Sequence, residues 1–485
     1  MKNIFSIISL ASVLMMSSCS KSFIEKQPVS SVTIDALYKT DKDYQDAVIG
    51  VYQGLRNPYQ NMWQFGDLRG DDVWIQVTNQ PSSTGVDLFS INSSDALLNT
   101  TWANYYVAIN RANNILTRIE SADPAVIKNK DRYIGEAKFL RALAYFDLVR
   151  IFGDVQMNTS VPTIDEIRAT PRTKAATVYS EVIIKDLLDA GSKLPLVYTG
   201  VEVGRATRGA AKAILGKVYL TIKDFPKAEA VLQELTAPPY TYALLPNYND
   251  LYDYSKNEHH SEYIFDIEYE EGLGGLGSVF TRYSMPNVTA LLNYYNIRGG
   301  FNESFSPTMR FVNLWQAGDL RKDVSVQCCG SWTHPTTGVV TTFSSTTSLS
   351  YTKKYITSVA TQDDSRANWK VTRFADVLLM LSEAMNENGK SALAFTTLNR
   401  VRQRAGLPQL SGLTQAQLRD AIALERRFEL AFEGHRWFDL VRTGKALEAL
   451  APVGMKDYMT VFPVPLSQLQ VMNNASIFSQ NTGYN

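Results

Sequence analysis

Apolar residues along this chain recur mostly at three- and four-residue intervals, the period of an α-helix buried on one face. In DKDYQDAVIGVYQGL (41–55), Ala47, Val48, Val51 and Leu55 share one side, and 102–119 is helical again. The segment 133–152 carries two stripes: Ala137, Leu140, Ala144, Leu148 and Ile151 on one face, Phe139, Leu143 and Phe146 on another. A helix apolar on two faces lies between neighbours, so the pattern predicts a stack of helices. A further helix is predicted over 177–194, with Val182, Ile183, Leu187 and Leu188 inward.

The stretch 209–235 resembles one tetratricopeptide repeat. Leu215, Gly216, Tyr219 and Ala228 fall in register, with Leu232 where the repeat prefers Phe and Asp224-Phe225-Pro226 at the turn. Pro226 suits the first turn of the second helix, where its missing N–H is harmless. A looser copy covers 374–408, with Leu381, Ala394, Leu398 and Val401 around an Asn388-Gly389 turn. The predicted fold is therefore mainly α: an irregular tetratricopeptide-like helical-repeat scaffold.

Between the two copies, 237–370 changes character. It holds Pro238-Pro239, the run GLGGLG (272–277) and a Ser/Thr-rich stretch (333–350). This reads as a loop-rich insertion carrying short strands such as 263–269, and loops on a rigid scaffold are where binding residues tend to sit. The segment 57–99 also breaks the helical pattern, with Trp63, Phe65, Trp74 and Phe89 among Gly, Asp, Ser and Asn, and reads as an aromatic loop.

Near the C-terminus, ERRFELAFEGHRWFDLVRTG (425–444) places Leu424, Phe428, Ala431 and Phe432 on one helical face among many charges. Gly434 interrupts the helix, and Trp437, Leu440 and Val441 resume the spacing before Thr443-Gly444 ends it. Glu433 and His435 could serve as base and partner, but no nucleophile or metal motif adjoins them. Paired charges bridging helices around a buried Trp437 account for the segment better, so a partly buried polar brace is predicted.

The 485 residues allow two or three domain-sized units or one large helical assembly. The chain is 45% apolar and 20% charged, and Lys+Arg and Asp+Glu both number 48. With no basic stripe, that balance argues against a nucleic-acid partner. The N-terminus adds a short positive start, an apolar run (4–16) too short to span a bilayer, and then Met16-Ser17-Ser18-Cys19. Small residues before a single Cys read as a lipobox, with 1–18 removed as a signal peptide, Cys19 acylated and 19–31 a tether. A plain secretory signal with an incidental Cys is the rival reading. Several acyl chains on one Cys suffice for stable anchoring. Cys328 and Cys329 could form a vicinal disulfide or remain thiols, and no zinc-ligand spacing surrounds them.

Motif chemistry is sparse. GLGGLG lacks the strand-before, helix-after context of a nucleotide fingerprint, and no GxSxG, Walker or HExxH pattern occurs. No metal or cofactor site is predicted, and His259-His260 and Asp71-Asp72 read as solvated loop doublets. The aromatic loops are better candidates. Trp63, Trp74, Tyr294, Tyr295 and Trp332 lie among polar residues instead of on clean core stripes, and flat rings flanked by Asn, Asp and Arg suit sugar faces. Each could instead be an ordinary core or loop anchor; Trp315, before Gly318-Asp319-Leu320-Arg321 on a predicted helix, reads as core.

Taken together, several segments resemble the SusD/RagB family of Bacteroidetes outer-membrane lipoproteins. They are Cys19 with SKSFIEKQP, GEAKFLRALAYFDLVRIFGDVQ, TRGAAKAILGKVYL, RFADVLLMLSEAMNE, LNRVRQRAGLP, ERRFELAFEGHRWFDLVRTGK, VFPVP and SQNTGY. The resemblance implies an N-terminal helical-repeat region (32–236), the ligand-binding insertion (237–370) and a C-terminal region (371–485) completing the scaffold. It implies a lipid-anchored protein of the outer membrane, on the cell surface beside a SusC-like TonB-dependent transporter, that captures oligosaccharide and does no chemistry. Peptide capture is the variant within the family; a secreted glycoside hydrolase, with two carboxyl groups across a cleft, and a pure scaffold are the rivals outside it. The FEGxRW segment is a structural hallmark of the family, which supports the brace. The family's ligand positions form no transferable motif.

Overall fold

The computed structural model describes residues 37–75, 81–298, 305–328, 331–342 and 350–484. Cys19, the leader, the tether and Cys329 lie outside the described residues; Cys328 is disulfide-bonded.

The chain is mainly α. Helix α1 (Asp41–Tyr59) opens on a reciprocal cap, Thr40 accepting the Asp43 N–H while Asp43 accepts the Thr40 N–H. It packs on α2 (Ala96–Ile119), α2 on α3 (Lys130–Phe152), α3 on α4 (Ile184–Lys193), α4 on α5 (Arg208–Thr221) and α5 on α6 (Phe225–Glu234). Both predicted stripes of α3 are buried, and Gly153 ends it at φ +74°. Asp224 accepts the Lys227 N–H to start α6 with Pro226 in its first turn. A Cβ on Gly216 would overlap Leu232, so α5 and α6 meet as closely as the repeat pattern predicts. After the insertion α6 packs on α7 (Phe374–Glu387), and α7 on α8 (Ser391–Arg404) and α9 (Gln415–Glu429), with α10 (Arg436–Arg442) following.

Short antiparallel strand pairs join this array. They are β1 (Val73–Trp74), β2 (Val155–Gln156), β3 (Arg172–Thr173), β4 (Tyr263–Ile267), β5 (Ser306–Pro307), β6 (Ser331–Thr333), β7 (Val340–Thr342) and β8 (Trp369–Arg373). The pairs are β1–β5, β2–β3, β4–β8 and β6–β7. In the β4–β8 pair Tyr263 faces Arg373 and Ile267 faces Trp369. That pair brings the two ends of the inserted loops together, which is why the helical stack continues across them.

The C-terminal segment is a brace, and Phe428, Ala431 and Phe432 of the predicted face are buried. Leu418, Ile422, Glu425 and Glu429 are buried on α9, while Leu424 is 38% exposed. Carboxylates share the inner stripe with Leu418, Ile422 and Phe428 because cations from elsewhere in the chain converge on them. Arg321 binds Asp319, Glu425 and Glu429. Arg373 binds Glu262, Glu429 and Glu433, with its Nε 2.8 Å from Glu433. Lys354 reaches Glu433 at 2.7 Å. Burial alone would raise the Glu433 carboxyl, but Arg373 and Lys354 hold it far below the usual carboxylate range. Arg321 and Lys354 belong to the insertion, so its loops are anchored to the brace by buried ion pairs.

The segment 57–99 is this brace's other partner and not an open loop. Helical turns run through Gln64–Leu68 and Pro81–Asp87, with Trp63, Phe65, Leu68 and Arg69 buried. In the Asp71-Asp72 doublet Asp72 is buried, Asp71 is partly buried, and both are paired: Arg436 Nε donates to Asp71 at 2.6 Å and Arg427 Nε to Asp72 at 2.8 Å. The solvated reading of that doublet is corrected by these two arginines. Trp315 is core as predicted, but it follows the Met309–Val312 helix instead of sitting on one. Among the described residues no helix is long and apolar enough to cross a membrane.

Candidate functional site

Within the insertion a small second core forms from Met285, Leu291, Leu292, Ile297 and Tyr351, with Tyr295 and Trp332 packed against it. Its edge carries the rings of interest. The helix Thr289–Tyr294 buries Leu291 and Leu292 and delivers Tyr294 and Tyr295 at its C-terminus. Asn296 then takes a left-handed turn at φ +51°, a conformation that Asn tolerates through its short polar side chain. Its amide donates to Ser358 at 2.8 Å, and Ile297 pairs with Val359, which pins the turn.

The β6–β7 hairpin supplies the other half, with Trp332 opposite Thr341. His334 follows β6; its N–H donates to the Val339 carbonyl at 2.8 Å, and the Gly338 N–H returns to the His334 carbonyl at 2.9 Å. Gly338 sits at φ +71°, which the tight turn requires.

Four rings meet here. Tyr294 lies 4.8 Å from Tyr295, 5.3 Å from Trp332 and 5.0 Å from His334, and Trp332 lies 5.4 Å from His334. These separations fall in the range of favourable edge and tilted aromatic pairs, each contributing about 0.5–1.5 kcal/mol. Tyr294 remains 38% exposed, whereas Tyr295 is half-buried. Burial, then the neighbouring Tyr294 and Asp323, push the Tyr295 hydroxyl up to about 12, and it shares a hydrogen bond with Tyr351. Asp323 itself is engaged by Lys353 at 2.7 Å and Gln327 at 3.1 Å. Asn293, Asn296 and Arg298 are exposed beside the rings in sequence. The arrangement offers flat carbon faces and polar edges, which suits stacking and hydrogen bonding better than bond-breaking.

Of the predicted rings, then, Tyr294, Tyr295 and Trp332 are brought together. Trp63 is not with them. It is 2% exposed and packed on Tyr283 at 4.8 Å and Phe305 at 5.5 Å, so its assignment as a ligand ring is corrected: the core occupies its faces. Trp74 is 40% exposed on β1, opposite Ser306, and no ring contact joins it to the cluster among the described residues. His334 was missed. The signal was present in the alternation of Trp332 and His334, two residues apart along an extended segment and hence on one side of it.

The chain is similar to known proteins over most of its length. A family model described as the SusD family matches residues 313–482, and one described as "Starch-binding associating with outer membrane" matches residues 22–220. SusD-like protein P2 of Formosa agariphila is 28% identical, over 97% of this chain and 98% of that protein. A laminarin-binding SusD-like protein superposes with a TM-score of 0.80 at 29% identity, covering 92% of this chain and 100% of the other. A SusD homologue from Bacteroides thetaiotaomicron has a TM-score of 0.80 at 23% identity, covering 93% and 98%.

Proposed function

The chain belongs to the SusD/RagB family, and from that premise we propose that it is a non-catalytic glycan-binding protein of the outer-membrane surface. It is held there by lipid on Cys19 and delivers oligosaccharide to a SusC-like TonB-dependent transporter. The observation that carries this reading is the ring cluster of exposed Tyr294 with the partly buried Trp332 and His334, built on its own small core in the insertion. Sugar C–H faces stack on such rings while their hydroxyls bond the polar edges, and a platform of this kind needs no deep cavity. The 29% identical relative named for laminarin binding makes β-glucan the first ligand to try, with starch beside it. Trp74, exposed on the β1–β5 pair, is proposed as a second, separate sugar-facing ring.

Affinity electrophoresis in gels containing laminarin, starch or other soluble polysaccharides tests the reading. Retarded migration in at least one gel, lost on Tyr294→Ala, is the expected result. Unretarded migration in all of them contradicts glycan binding, and hydrolysis of any of these polymers contradicts the non-catalytic role.

A further inference from the structure

His334 is more than a fourth ring. Its Nδ1 accepts the backbone N–H groups of both Thr336 and Thr337, each at 3.2 Å. An imidazole nitrogen that accepts carries no proton, so in the neutral ring the proton resides on Nε2. Among the described residues Nε2 has no hydrogen-bond partner, although the ring stands edge-on to both Tyr294 and Trp332. The turn thus holds the ring through Nδ1 and leaves the Nε2–H of this partly buried ring without a partner among the described residues.

We propose that the Nε2–H of His334 is the specificity-determining donor of this site, bonding a hydroxyl or ring oxygen of the sugar stacked on Tyr294 and Trp332. The proposal rests on the platform reading above and deepens it. Stacking alone tolerates any sugar with a flat C–H face. A donor held by its own hairpin selects those presenting an acceptor at the platform's edge. Because the turn consumes the ring's acceptor, a ligand group that can only donate finds nothing to bond at His334.

Two substitutions separate the donor from the turn. His334→Asn keeps an acceptor at the position of Nδ1, which can cap the Thr336 and Thr337 N–H groups as an Asx turn does, but removes the outer N–H. His334→Gln places an amide N–H close to where Nε2 lies and gives up the turn acceptor. Calorimetry uses the full-length secreted portion with the polysaccharide that retards the wild type, laminarin first. His334→Asn should weaken binding about fivefold or more, the worth of one net hydrogen bond. His334→Gln should stay within about threefold of wild type, a smaller loss than that bond's worth. The thermal midpoint should not move for His334→Asn, and should fall only slightly for His334→Gln, whose freed Thr336 and Thr337 N–H groups are exposed to water. Wild-type affinity in His334→Asn, with binding lost in Tyr294→Ala, overturns the donor and leaves the platform standing. Equal losses in Asn and Gln variants also overturn it, since the ring would then act by shape. Unchanged binding in Tyr294→Ala removes the platform, and the donor with it.

Discussion

The Asp67 carboxylate accepts the backbone N–H of Gly434 at 2.8 Å, joining positions 367 residues apart. Beside that bond the two chains touch without side chains between them: a Cβ on Gly66 would lie 2.5 Å from the Gly434 Cα. Gly434 sits at φ +77°, and its own Cβ would strike Trp369. The conspicuous Glu-Gly-His-Arg run is thus the place where the chain's beginning, its insertion neck and its end are sewn together.

Gly66→Ala follows directly from that contact. Backbone, unlike a flexible side chain, cannot yield, so the substitution should cost about 3 kcal/mol, at the upper end of overpacking penalties. A thermal midpoint close to wild type would show that the approach is looser than described.

Arg436→Ala addresses the same junction from the charged side. Arg436 donates to Asp71 at 2.6 and 3.0 Å, and Arg427 continues to neutralise that carboxylate at 2.9 Å when Arg436 is gone. The expected loss is about 1–3 kcal/mol, below the 3–5 kcal/mol of a fully orphaned buried charge. Glycan affinity of the folded variant should be unchanged. Reduced affinity at wild-type stability would contradict a purely structural role for the segment.

The brace also fixes how the protein responds to acid. Burial raises the Glu429 carboxyl, but Arg404, Arg373 and Arg321 outweigh it and hold the group at about 2. In the unfolded chain a Glu titrates near 4.3. The native state therefore binds fewer protons, and the stabilisation is full above about pH 4.3 and is lost as pH falls through about 2. Glu429→Gln should be less stable at pH 7 and should lose less stability than wild type between about pH 5 and pH 3. Parallel stability–pH curves for the two proteins would contradict the ion-pair assignment.

Trp63 and Trp74 come from one loop of uniform composition and should behave as opposites. Trp63→Ala opens a cavity among Tyr283 and Phe305 and should destabilise by about 3–5 kcal/mol without changing affinity. Trp74→Ala, at 40% exposure, should leave the thermal midpoint in place and weaken binding to long polysaccharide. The reverse pattern would show that burial has been assigned to the wrong tryptophan.

Helix spacing made the scaffold readable from the sequence because each repeat buries residues against its own neighbours. The two-striped α3 and the helix pairs around Pro226 and Gly389 are local in that sense. The brace was legible only by half. Its charges are written in one segment, but their partners Asp71, Asp72, Arg321 and Lys354 lie far away in loops, where a lone ion looks solvated. The candidate site was legible as composition. Tyr294, Tyr295 and Trp332 stood out as rings among polar residues, yet so did Trp63, and only its contacts with Tyr283 and Phe305 show it to be core.

The insertion's ring cluster is the proposed ligand platform. Its most direct test is isothermal calorimetry with laminarin on wild type, Tyr294→Ala, Trp332→Ala and the double variant, all with matched thermal midpoints. Each single substitution should weaken binding about tenfold, or about 1.4 kcal/mol. The double variant should show no measurable heat. Wild-type affinity in the double variant would place the ligand elsewhere on the molecule and contradict the account.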